Sequence, residues 1–136
     1  MKEIKMRSDC PVSYALDFFG DKWSFLVIRD LALEGKSYYK EFLQSKEKIA
    51  TNILADRLKK LEYHGIIESK VDEQLRTKKV YSLTAKGKDL MPILLEMMVW
   101  SNKYQDDLAV SDEFIEKVKH DRDTVLKSLL DRLEKE

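Results

Sequence analysis

Between Tyr39 and Leu83 the sequence changes its hydrophobic period once, and that change restricts the folds open to it. Up to His64 the apolar residues recur at helical spacing. With Leu54 at zero on a wheel of roughly 100° per residue, Leu58 and Leu61 fall close beside it and form one stripe. Gly65 stops that helix, which begins at Thr51. Residues 66–71 and Lys79–Leu83 then read as strands, although Val80 and Tyr81 break strict alternation. The polar segment 72–78 between them reads as a hairpin tip. Ahead of the helix stand a short helix over 39–44, with Tyr39, Phe42 and Leu43 inward, and a polar turn over 45–48. Helix, tight turn, helix, hairpin is the order of a winged helix-turn-helix.

The rest of the chain is helical by the scarcity of breakers, with four Gly and two Pro in 136 residues. Pro11 suits a first helical position, Ala15, Leu16 and Phe19 supply a stripe, and Gly20 closes it. Asp21 is a good N-cap for a second helix carrying Trp23, Leu26, Val27 and Leu31, which Gly35 ends. Ser37-Tyr38 reads as a short extended piece. Thr84 is a natural cap for a long helix to about Tyr104, kinked in its first turns by Pro92. An amphipathic helix from Glu113 to about Leu133, with Phe114, Ile115, Val118, Val125, Leu126, Leu129 and Leu130 on its apolar side, follows as one piece. The expected fold class is mainly α with a small β-hairpin wing (α+β). Residues 1–105 would form the winged domain with its N-terminal and long helices, and 106–136 a helical extension.

Composition removes several function classes. Apolar residues make up 43% of the chain, enough for a core. No run approaches a membrane span, so no membrane partner is expected. The opening Met1-Lys2-Glu3-Ile4-Lys5-Met6-Arg7 has no apolar region of a signal peptide, and the expected location is the cytoplasm. The single Cys10 excludes an internal disulfide and a Cys-built zinc cage. Neither a catalytic Ser/His/Asp order nor a glycine-rich phosphate loop is present, so no enzyme, cofactor or metal is expected. His64 and His120 are isolated and read as surface or capping residues. Tyr14, Phe18, Phe19, Trp23, Phe25 and Trp100 read either as core or as the lining of a small-molecule pocket.

The zero net charge hides an asymmetry. Residues 1–35 carry five basic and six acidic side chains, residues 36–88 thirteen and seven, and residues 89–136 seven and twelve. The basic middle coincides with the predicted helix-turn-helix and wing, as a localised anion-binding surface would. Opposite the Leu54 stripe lie Asn52, Asp56, Lys59 and Tyr63, flanked by Thr51 and Ala55 on one side and Arg57 and Lys60 on the other. Asn reads adenine edges, and Thr or Ala touches a thymine methyl. Arg57, Lys59 and Lys60 suit phosphates, which fix register without reading sequence. Asp56 either accepts from cytosine or orients Arg57 or Lys59. Arg76, Lys78 and Lys79, with Lys70 before them, suit backbone or minor-groove contact. A solvated polar face is the plain alternative for both segments.

These residues resemble the HxlR-type regulators, a MarR-related group of winged helix-turn-helix DNA-binding proteins. The resemblance begins at Cys10-Pro11-Val12 and Ala15-Leu16-Asp17 and continues through Gly20-Asp21-Lys22-Trp23, Ile28-Arg29-Asp30-Leu31 and Tyr39-Lys40-Glu41-Phe42. It is densest from Ile49 to Glu62 with Gly65-Ile66-Ile67, and ends with Tyr81-Ser82-Leu83-Thr84, Lys86-Gly87, Leu90, Pro92 and Trp100, about 95 of the 136 residues. It implies a cytoplasmic homodimeric regulator on a roughly palindromic double-stranded operator, with the second helix of the motif in the major groove and the wing on the backbone. Two departures stand out: Arg76-Thr77-Lys78-Lys79 lacks the proline often found before the second wing strand, and Lys48 occupies a turn position that is often Gly.

Residues 90–100 are apolar except at Pro92 and Glu96, and one face cannot use so many apolar groups. Leu90, Ile93, Leu94, Met97, Met98 and Trp100 are therefore expected at a subunit interface, together with the first helix. Cys10 stands at a helix start with Arg7 nearby, a setting in which thiols become reactive. Several members of the resembled group respond to oxidants or electrophiles through a cysteine here, so a small oxidant or electrophile is the implied effector and Cys10 the implied sensor. A buried apolar filler is the alternative for that cysteine. The rival function is a winged-helix protein-interaction module without DNA binding. Charge reversal at Lys59 or Arg76 separates the two readings, with Glu136→Lys as the silent control.

Overall fold

The computed structural model describes residues 5–135, so Met1–Ile4 of the opening Met1–Arg7 segment and Glu136 lie outside the described residues. Among the described residues ten elements run in order: α1 (Pro11–Phe19), α2 (Ser24–Ala32), α3 (Tyr39–Leu43), α4 (Thr51–Tyr63), β1 (Ile67–Val71), β2 (Lys79–Leu83), α5 (Ala85–Lys88), α6 (Met91–Tyr104), α7 (Asp112–His120) and α8 (Arg122–Glu134). The chain separates into two compact units, residues 1–87 and 88–136. The boundary therefore falls ahead of the long helix and not at 105/106, because α6 packs with α7 in the second unit.

The first unit is a winged helix-turn-helix. Its core gathers Val27, Ile28 and Leu31 of α2, Phe42 of α3, Leu54, Leu58 and Leu61 of α4, and Ile66, Ile67 and Leu83, all buried. β1 and β2 pair antiparallel from Ile67↔Leu83 to Val71↔Lys79, and Tyr38 adds an isolated bridge to Val80, the expected extended piece. α2 starts later than Asp21 implied. Asp21 still caps it, accepting from the backbone N–H of Trp23 and Ser24 at 2.9 Å each. α1 buries no residue of its own: Val12 is 66% exposed and Leu16 48%.

The predicted long helix is two helices. Thr84 caps only α5, its Oγ1 accepting from Gly87 N–H at 3.1 Å. Pro92 explains the break: its ring conflicts with the carbonyl four residues back, at Lys88, where α5 ends. The predicted terminal helix is also two. Asp121 leaves helical geometry (φ −147°, ψ 53°), ends α7 through its N–H to the Lys117 carbonyl at 2.7 Å, and starts α8. Thr124 Oγ1 donates to its carboxylate at 2.8 Å. The second unit closes around Leu95, Val118 and Val125, with Met98, Val99, Phe114, Leu126 and Leu129 packed on them. Glu96 and Arg122 pair across α6 and α8.

Candidate nucleic-acid interface

Four devices fix α4 before any ligand arrives. The first is the turn that precedes it. Lys48 has φ +55°, the left-handed conformation that glycine adopts freely, which is why glycine suits this position. A side chain is tolerated because the turn is tied from outside. Ser45 Oγ donates to Asp30 Oδ2 at 2.5 Å, and Lys36 Nζ reaches Ser45 Oγ at 2.7 Å. Asp30 is only 3% exposed and is also held by Arg29 at 2.8 Å.

The second device is the pair Arg29–Glu47, 2.7 Å from Nη1 to Oε2. The guanidinium holds the Glu47 carboxyl at about 2, well below the ordinary carboxylate range. The third is Tyr39, whose hydroxyl donates to the Thr51 carbonyl at 3.0 Å. The fourth is Arg57, whose Nε donates to Asp21 Oδ1 at 3.0 Å. Burial raises the Asp21 carboxyl, but hydrogen bonds from Ser24, Arg57 and Trp23 outweigh it and bring it to about 2.

With Leu54, Leu58 and Leu61 inward, α4 turns Thr51, Asn52, Asp56, Lys59, Lys60 and Tyr63 outward, and Ala55 is half-buried at the edge. Arg57 departs from the phosphate-binding expectation. Its side chain is only 23% exposed and its guanidinium is shared between Asp21 and Asp56, so its charge is already paired within the chain. Of the two readings of Asp56, the contact with Arg57 is the one present.

The wing projects Arg76, Lys78 and Lys79 into solvent. Its tip is built on Asp72, which accepts from the N–H groups of Gln74 and Leu75 at 2.8 and 2.9 Å and from the Tyr38 hydroxyl at 2.6 Å. These bonds lower the Asp72 carboxyl, the Tyr38 contact first. Lys78 Nζ lies 5.5 Å from the centre of the Tyr38 ring. A groove of about 420 Å³ opens here, lined by Tyr38, Tyr39, Lys40, Thr77, Lys78, Lys79 and Tyr81. Lys40, which lines this groove, was not among the residues that the sequence singled out for DNA contact.

Other expected residues land differently. Arg7 is engaged by Asp17 at 2.8 Å, so it is paired elsewhere than beside Cys10. Cys10 is exposed, against the buried-filler alternative, and its N–H donates to Ser8 Oγ at 3.2 Å. On α6 the apolar residues split by face. Leu94 is buried within the chain, which removes it from the expected interface, and Met98 is partly buried against the Leu95 core. Leu90 is half-buried. Ile93, Met97 and Trp100 remain exposed, joined by Tyr104. His64 caps α4 at its C-terminus, half-buried against Phe18. Among the described residues no helix is long and apolar enough to cross a membrane.

The HxlR-like helix-turn-helix pattern matches residues 18–109, which span α2 through α6 and so include α4 and the wing. The chain belongs to that family. An HTH-type transcriptional regulator of Bacillus subtilis strain 168, YdeP, is 38% identical over 97 residues, 71% of this chain and 75% of that protein. The redox regulator HypR in its oxidized form superposes with TM-score 0.63 at 36% identity, covering 71% of this chain and 99% of HypR. Quinone-bound YodB from B. subtilis superposes with TM-score 0.58 at 32% identity, covering 70% and 100%. This HxlR-like protein is thus a DNA-binding transcriptional regulator with a winged helix-turn-helix fold. α7 and α8 lie beyond the family match.

Proposed function

We propose that this regulator acts as a homodimer on a palindromic operator, each copy setting α4 into a major groove and its wing along the flanking backbone. The supporting observation is unburied apolar surface in the single chain. On α1, Val12, Tyr14 and Leu16 are 66%, 45% and 48% exposed; on α6, Ile93, Met97, Trp100 and Tyr104 are 39%, 48%, 68% and 67% exposed. The α6 residues fall at i, i+4, i+7 and i+11, one continuous stripe. Water-facing stripes of this kind mark association surfaces, and a twofold pair would present two recognition helices to two half-sites. Base contacts are assigned to Thr51, Asn52, Ala55 and Asp56, and phosphate contacts to Lys59, Lys60, Arg76, Lys78 and Lys79. The compartment proposed is the cytoplasm, and no catalytic activity is assigned.

Oxidant or electrophile response through Cys10 is the regulatory part of this proposal. Its support is the exposure of that thiol at the start of α1, whose apolar side is unburied, together with the likeness to HypR and YodB. Selection of bound sequences from random duplex DNA, repeated with diamide and with a quinone, tests both parts. A palindrome is expected from the wild type, with enrichment lost under oxidant and retained by Cys10→Ser. Half-sites without symmetry refute the dimer, and identical behaviour of wild type and Cys10→Ser refutes the sensor.

A further inference from the structure

An acidic side chain on a helix that faces a polyanion is a cost, and Asp56 stands in the middle of the outward face of α4, with its side chain 56% exposed. The structure shows what holds it there. Arg57 Nη1 binds Asp56 Oδ2, and no described residue hydrogen-bonds Oδ1. Arg57 is itself fixed from behind, Nε to Asp21 Oδ1 at 3.0 Å. Asp21 cannot swing, because Oδ1 also takes the N–H groups of Trp23 and Ser24 and Oδ2 takes the Ser24 hydroxyl at 2.6 Å. Ser24 is 1% exposed, so this chain of contacts begins on a buried residue and ends on an exposed carboxylate.

We propose that Asp21 and Arg57 are positioning residues that aim Oδ1 of Asp56 at the amino group of a cytosine in each half-site. The inference rests on the placement of α4 in the major groove. A carboxylate oxygen accepts only. In that groove guanine shows N7 and O6 and thymine shows O4, all acceptors that repel it. Adenine offers its N6 amino group beside the N7 acceptor. Cytosine offers N4 with only the C5–H on its own outer edge, and is the base a fixed carboxylate favours. Arg57 contributes twice: its planar fork sets the direction of Asp56, and its charge offsets the acid against nearby phosphates.

Selection from random duplex DNA with wild type, Asp56→Ala, Asp56→Asn, Arg57→Lys and Asp21→Asn tests this, with thermal melts confirming that each variant is folded. The wild type is expected to enrich a cytosine at one position of each half-site. Asp56→Ala should flatten that position alone, by roughly tenfold in base preference. Asp56→Asn should move it to adenine, which an amide reads through N6 and N7. Arg57→Lys keeps the charge and loses the fork, so the same position should flatten while total affinity stays within roughly twofold. Asp21→Asn should act as Arg57→Lys does. A wild type that enriches no sequence refutes the groove placement on which the inference stands. A wild type that enriches a palindrome unchanged in Asp56→Ala refutes the base contact alone. A position that flattens in Asp56→Ala and persists in folded Arg57→Lys and Asp21→Asn refutes the positioning chain.

Discussion

Arg29 Nη1 and Glu47 Oε2 lie 2.7 Å apart, joining α2 to the turn that launches α4. Arg29 Nη2 adds a second bond to Glu47 Oε1 at 3.0 Å, so the pair is two-pronged, the geometry in which an ion pair contributes most. Glu47 titrates near 2 in the folded chain. A carboxyl lowered on folding lends stability that is complete above its unfolded value, near 4.5, and is lost as pH falls toward 2. Glu47→Gln should therefore destabilise the chain by about 1 kcal/mol at pH 7, a figure reduced for solvent screening. Urea melts should show that difference constant from pH 7 to pH 5 and shrinking below. A difference that persists unchanged at pH 3 contradicts the assignment.

Gly87 is required by close approach. A Cβ there would overlap the Ile66 carbonyl oxygen and stand 3.0 Å from Leu83 Cδ2. The same carbonyl accepts from Thr84 N–H at 3.1 Å, so it cannot retreat without loss. Gly87→Ala should cost about 1–3 kcal/mol, as overpacking does. Ala85→Gly, at an exposed helical position, should cost about 1 kcal/mol or less. Thermal melts of the two variants give the comparison, and equal losses would contradict the steric reading.

The recognition helix was legible in the sequence because its signals agree. Leu54, Leu58 and Leu61 share one face and are 0%, 3% and 1% exposed, and Gly65, which stops it, has φ +74°. Local consistency also gave the hairpin and the strand Lys79–Leu83. What escaped was long-range or lacked contrast. Arg57 looked like a phosphate ligand because its partner Asp21 lies 36 residues away, and no local pattern carries such a pair. Residues 90–100 of this region are almost all apolar, so the sequence held no contrast to separate the inward Leu94 from the outward Met97 and Trp100. Asp121 was hidden inside an apolar series whose gap between Val118 and Val125 was the overlooked sign of two helices.

The outward stripe of α6 makes a prediction of its own. Met97→Glu and Trp100→Glu place charges where no intrachain core is disturbed, since both side chains are about half exposed or more. Sedimentation should find the wild type at twice the chain mass of 16.0 kDa and the double variant at the single mass. Leu95→Glu instead breaks the core with Val118 and Val125 and should unfold the second unit. A wild type that sediments as a monomer at micromolar concentration would remove the dimer from the account.

The basic residues of α4 and the wing should declare themselves through salt. Each phosphate neutralised on duplex DNA contributes roughly −0.9 to the slope of log affinity against log salt. Lys59 on α4 and Arg76 on the wing are exposed and, among the described residues, form no ion pair that would compete. Lys59→Gln and Arg76→Gln should each make the slope shallower by about 0.9, and the double variant by about 1.8 if the contacts are independent. Arg57→Gln should instead lower the melting temperature, because its charge is spent on Asp21 and Asp56. Glu116→Gln, on α7 beyond the family match, serves as the silent control. Titrations of a selected duplex at four salt concentrations provide the slopes, and a slope unmoved by Lys59→Gln and Arg76→Gln would exclude both residues from the phosphate contacts.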